Sequence, residues 1–400
     1  MKRPEAGCPG FVVSPFTLAA LLALATATAP ARAQFFSSSG ANSTAPVNLF
    51  PINPASPTLD FGVNTLFIGN SAPGSFSASA GALLSAGALS IANGGTGTGS
   101  VIVDGSGTRV DLGGTANRLE IGNWGVGSLV VSAGAVVDAT VNAASCRLAG
   151  AACYSFIGNG AGSTGTLTIT GAGSELRALR TFGIGQAAVF RPPLDGFTFG
   201  TPGGSTSGNV NVLAGGTLRT ENARIGVGPE NLSALGTEQA VGNVVVSGAG
   251  SRWIVGRNSI DGTAASVAVG VHANGQGNIT VSDGGKLVID GSGGAGPNDF
   301  MNLAIDGGKG SLTVTGVGSS VDIVGVNTAL NVGRSGANAQ GSFSVLAGAT
   351  ASSLYVSVGR DGASGTMLIS GAGSRFSQTG VGTIIAGNNG GVAFAQIGRD

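Results

Sequence analysis

The stretch "GTLTITGAGSELRA", residues 165–178, decides the fold. Its first half sets Leu167 and Ile169 on one side with Thr168 between them. Alternation with period two marks a strand that buries one face. A glycine-rich turn follows, then a second short strand block, "SELRAL".

The same pattern recurs along the chain. It reads "GSVIVDGSGTRVDL" from Gly99, "GSLVVSAGAVVDA" from Gly127, "GNVNVLAGGTLRT" from Gly208 and "GNVVVSGAGSRWIV" from Gly242. It continues as "GNITVSDGGKLVID" from Gly277, "GSLTVTGVGSSVDI" from Gly310, "GSFSVLAGATASSL" from Gly341 and "GTMLISGAGSRFSQ" from Gly365, with a worn copy from Gly74. In the nine clear copies the paired strand positions, from Val101/Val103 to Met367/Ile369, are all apolar. A third block closes on Ile-Gly or Val-Gly, as at Ile121-Gly122, Ile157-Gly158, Ile225-Gly226 and Val358-Gly359.

Copies start 24 to 43 residues apart, and the shortest interval is the length of one three-strand coil. No copy can bury its aliphatic face alone, so copies must stack. Propeller blades need four antiparallel strands and about 40 or more residues each. The spacing therefore predicts an all-β, right-handed parallel β-helix of about ten three-strand coils, a monomeric rod roughly 45–50 Å long.

Composition agrees. Of 400 residues 74 are Gly, 42% are hydrophobic and 10% are charged. Enough aliphatic surface is present to bury a core, which argues against disorder. The net charge is zero and no basic run is interleaved with aromatics, so nucleic acid is not an expected partner.

The N-terminus reads as an export signal over residues 1–33: Lys2 and Arg3, an apolar stretch at 16–29, then "APARA" ending at Ala33. Residues 34–60 read as a Pro/Ser-rich linker or N-terminal cap, and 61–400 as the repeat domain. In an exported chain, Cys146 and Cys153 suit a short-loop disulfide; two small free thiols are the other reading. No His or further Cys lies beside them, so no metal is expected there.

The glycines of "GAGS" suggest a phosphate cradle. Such a loop needs G-x-G-x-x-G before a helix, or G-x-x-x-x-G-K-[ST]. "GAGSEL", "GAGSRW" and "GAGSRF" lack the third Gly and the Lys, and one ligand loop would not recur in coil after coil. They read as turns. His272, in "GVHANGQG", has no serine-hydrolase motif beside it and reads as a solvent-exposed turn residue. No catalytic, cofactor or metal residue is assigned. The longest insertion, residues 183–208, carries Phe190, Arg191, Phe197 and Phe199. These suit a binding surface, or they fold back over the coil.

Units such as "GTLTITGAGSEL" and "GSLTVTGVGSSV", following a signal peptide, resemble the passenger region of bacterial autotransporters. The resemblance covers residues 60–400. It implies a surface or extracellular location at the outer membrane, and a non-enzymatic role in adhesion or biofilm contact with a host or glycan surface. It also implies a C-terminal outer-membrane barrel, which this sequence does not include. The closing "AQIGRD" matches "VSVGRD" at 356–361, so further coils are expected beyond Asp400. Two other readings stand beside it: a pectate-lyase-like polysaccharide enzyme, which would need converging carboxylates with a basic or cationic partner, and a purely structural surface layer.

Overall fold

The computed structural model describes residues 36–40, 42–44, 56–115, 118–142, 153–187, 204–229, 239–256, 265–292, 300–325, 328–379 and 384–397. Their regular structure is strand throughout, gathered in three sheets of 12, 11 and 12 strands. The first sheet collects the leading block of every copy, the second sheet the block after the glycine turn, and the third sheet the block ending in Ile/Val-Gly. From residue 58 on, chain order visits them in rotation, so each of these strands pairs in parallel with the strands three positions away. This is a parallel β-helix.

Eleven coils are described, one more than the copies legible in sequence. The additional first-sheet strand is Val392–Ile397. It pairs with Ser364–Ser370, but Ala393 stands where the pattern has glycine. Among the described residues, antiparallel pairing occurs only at the N-terminal end. There Phe36–Gly40 runs against Gly74–Ala78, and Asn42–Thr44 against Thr65–Ile68. Pairing both sheets this way occupies edges that would otherwise invite another strand.

The interior is built from side-chain ladders. Val101, Leu129, Leu167, Val210, Val244, Ile279, Leu312, Phe343 and Met367 stand in register down the first sheet. Seventeen of the eighteen apolar pattern positions are buried; Met367 is half-buried, because its partner on the last strand is the small Ala395. In the second sheet Trp253 lies between Leu218 and Leu287, fully buried, and its indole N–H donates to Thr220 Oγ1 at 3.0 Å.

The Ile/Val-Gly signature marks the corner where the third sheet turns into the first. Gly122 has φ 67°, and a Cβ there would lie 2.2 Å from the Thr164 carbonyl oxygen of the next coil. Gly165, which opens that next first-sheet strand, would press its own Cβ to 2.2 Å from the Ile121 carbonyl. The two glycines permit each other's approach. Ala92 and Ala304 hold the same corner in two coils, at φ 57° and 61°, conformations that cost an L-residue about 1–2 kcal/mol.

The turn from first to second sheet alternates between two forms. One is Ala-Gly or Asp-Gly: Ala80-Gly81, Ala133-Gly134, Ala214-Gly215, Asp283-Gly284 and Ala347-Gly348, all with positive φ. The other is G-x-G-S/T, ending at Thr108, Ser174, Ser251, Ser319 and Ser374. Each of these hydroxyls accepts the backbone N–H of the glycine in the preceding coil's short turn, at 2.9 to 3.0 Å. In four of them the hydroxyl also donates to the carbonyl four residues back at 2.7 Å. The bonded unit at this corner is a pair of coils.

Candidate functional site

The hydroxyl of "GAGS" is therefore engaged in coil-to-coil bonds, and the turn reading holds over the phosphate reading. Ser174 and Ser251 are fully buried, which leaves no hydroxyl to meet an anion there.

His272 is half-buried in its turn, at φ 59°. This corrects the expectation of a solvent-exposed side chain: its coil is stacked on both sides, so the turn is partly covered. Its Nδ1 lies 3.9 Å from Asp306 Oδ2. Ser335 Oγ donates to the other oxygen of the same carboxylate at 3.0 Å. Serine and histidine thus share an acid, whereas a triad needs the histidine between them.

Cys153 is buried and its sulfur is disulfide-bonded. Cys146 lies outside the described residues, as do Phe190, Arg191, Phe197 and Phe199. Arg118 is fully buried. Its Nη1 donates to the carbonyls of Leu112, Ala139 and Val141 at 3.0, 2.8 and 2.6 Å. Burial pulls this guanidinium down to about 10. It clips the chain in place.

Carboxylates from adjacent coils do converge, on the outer face of the second sheet. Stacking brings Arg109 and Asp111, Asp138, Glu175 and Arg177, and Arg219 into two neighbouring registers. Arg109 reaches Asp111 at 2.6 Å and Asp138 at 2.7 Å. Arg177 spans Asp138 at 3.5 Å and Glu175 at 2.7 Å, and Arg219 closes on Glu175 at 2.5 Å. Asp104, Asp283, Asp306 and Asp361 each accept from side chains in turns, including Ser132, Ser247, Ser335 and Arg334.

The ladder's electrostatics tell against acid–base work. Burial works to raise Asp138, but bonds from Thr140 and Arg109 outweigh it and hold the carboxyl below its usual range. Glu175 behaves alike under Arg177 and Arg219. Burial pushes Asp111 up, against the pull of Arg109. A general acid at neutral pH needs a strongly raised carboxyl with room for substrate, whereas Asp138 is engaged by Thr140, Arg109 and Arg177. Among the described residues, no group of three or more His, Cys, Asp or Glu is placed to hold a metal ion.

A different arrangement lies on the outer face of the first sheet. Asn243 donates to Asn209 at 3.0 Å, Asn278 to Asn243 at 3.0 Å, and Ser311 to Asn278 at 2.8 Å. Just before each strand's leading glycine, Gln276, Lys309 and Gln340 follow in register on consecutive coils. Gln276, Lys309 and Gln340, with Asn278 and Ser311 from the end of the first row, line a groove of about 430 Å³ that continues to Ser342, Ser364 and Thr366.

This groove was missed in sequence because its residues are ordinary polar ones spaced some thirty apart. Aligning the copies on their leading glycine and reading the position before it would have found the row.

One comparison bears on these surfaces. Over 180 residues the chain is 30% identical to "Adhesin BmaC autotransporter" of Brucella suis biovar 1 (strain 1330). The match takes in 44% of this chain and 4% of that relative, so the chain spans a small part of it. No protein-family model matches the chain, and no solved structure matches it.

Proposed function

We propose that this chain is part of an exported, surface-displayed β-helical passenger that serves adhesion without catalysing a reaction. The observation that carries this reading is the similarity to an autotransporter adhesin, borne by a chain folded as a β-helix. The physical arrangement supports it. Stacked coils make long flat polar faces, suited to contact along a partner, and the ion ladder has its carboxylates committed to arginines. Display on the cell surface, attachment through a C-terminal barrel and a host or glycan partner belong to this proposal, as does a monomeric rod. So does pairing of Cys153 with Cys146.

The test uses the purified protein coupled to beads and presented to host-cell monolayers and a glycan array. Adhesion above that of uncoated beads, with no cleavage of polysaccharides, is the expected result. Cleavage without adhesion would replace this reading with the enzyme; neither activity would leave the surface-layer role.

A further inference from the structure

From the groove on the first sheet we infer a binding site for an anionic glycan chain, with Lys309 receiving a carboxylate or sulfate of the sugar. The inference deepens the adhesive reading above and rests on it.

Gln276, Lys309 and Gln340 are exposed and, among the described residues, make no side-chain hydrogen bond or ion pair. On the same face, the neighbouring Asn209, Asn243 and Asn278 spend their hydrogen bonds on one another. The groove therefore offers amides and an ammonium whose hydrogen-bonding capacity the described residues do not take up, beside the asparagine row.

The lining then selects the ligand. It contains polar side chains and glycine only, so a peptide with apolar anchors finds no pocket. It carries one positive charge and no carboxylate, which favours an anion over a neutral partner. Amide and hydroxyl groups repeat at the coil rise of about 4.8 Å. That rise is close to the advance of one ring along an extended glycan, so successive sugars would meet successive coils. Without an aromatic platform each contact is weak, and surface attachment would come from many copies acting together.

Calorimetry of the full chain with hexagalacturonate, compared with the fully methyl-esterified oligomer, tests the site. Binding of the acid form alone is expected, with affinity falling as salt is raised. Lys309→Gln should weaken it about tenfold, the scale of one charge-assisted hydrogen bond, and Lys309→Glu should abolish it. Lys309 is exposed, so its variants should keep the wild-type thermal midpoint. Lys286→Gln changes a lysine on the second sheet and should leave affinity unchanged. Equal binding of the ester, equal loss on Lys286→Gln, or full binding by Lys309→Glu would overturn the inference. Beads that adhere equally well with Lys309→Glu would refute the groove and leave adhesion standing. Hexagalacturonate binding by a protein that adheres to nothing would refute adhesion and leave the groove.

Discussion

A glycine near the end of most third-sheet strands sets how closely successive coils approach. Gly158 has φ 68°, and its Cβ would lie 2.1 Å from the Ser207 carbonyl oxygen. Gly162 has a similar φ, 75°, but open space around it. Gly162→Ala should therefore cost only the left-handed conformation, about 1–2 kcal/mol. Gly158→Ala adds a backbone clash and should cost distinctly more; urea midpoints of the two variants measure the difference. The buried hydroxyl of Ser174 makes a second residue-scale case. Ser174→Ala leaves the Gly134 N–H without its acceptor and should cost about 1–2 kcal/mol. Ser174→Thr should be tolerated, because Thr108 makes the same two bonds in an earlier coil.

At the scale of one element, the ion ladder on the second sheet makes stability depend on pH. Asp138 and Glu175 have folded values held below the usual range. Their contribution is present above the unfolded value of about 4 and is lost as pH falls through the lower folded value. Asp111, raised by burial, has the opposite sign and offsets part of this. Asp138→Asn should therefore be less stable than wild type at neutral pH, with the gap closing below about pH 4. Thermal midpoints across pH measure it; a gap constant with pH would count against the ladder. The turns are the other lesson at this scale. The copies look like one repeat, yet their turns alternate, and the hydroxyl bond links each short turn to the longer turn of the next coil.

Over the whole molecule, each coil touches only its neighbours, so damage should stay local. Among the described residues Trp253 is the largest fully buried side chain, and Trp253→Ala should cost about 3–5 kcal/mol. Hydrogen exchange should quicken first in 217–220 and 286–290, the strands paired with its own, while strands near residue 100 keep their protection. Uniform loss of protection along the rod would mean a single cooperative unit.

The architecture was legible in the residue pattern alone. Apolar pairs at period two and glycines at fixed offsets survive in every clear copy, because an inward side chain and a tight corner are local demands. Leu167, Ile169 and Gly158 could be read without knowing their neighbours. The last coil escaped because Ala393 broke the pattern that defined a copy. Which distant polar residues share a face emerges only from the stacking of the coils. Arg109 meets Asp138 across 29 positions, and Gln276 comes beside Lys309 and Gln340, through the lengths of the intervening insertions. Charge and hydrogen-bond partners lie across coils, about 4.8 Å away in space and tens of residues away in the chain. Register therefore had to be known before the ladder or the groove could be seen.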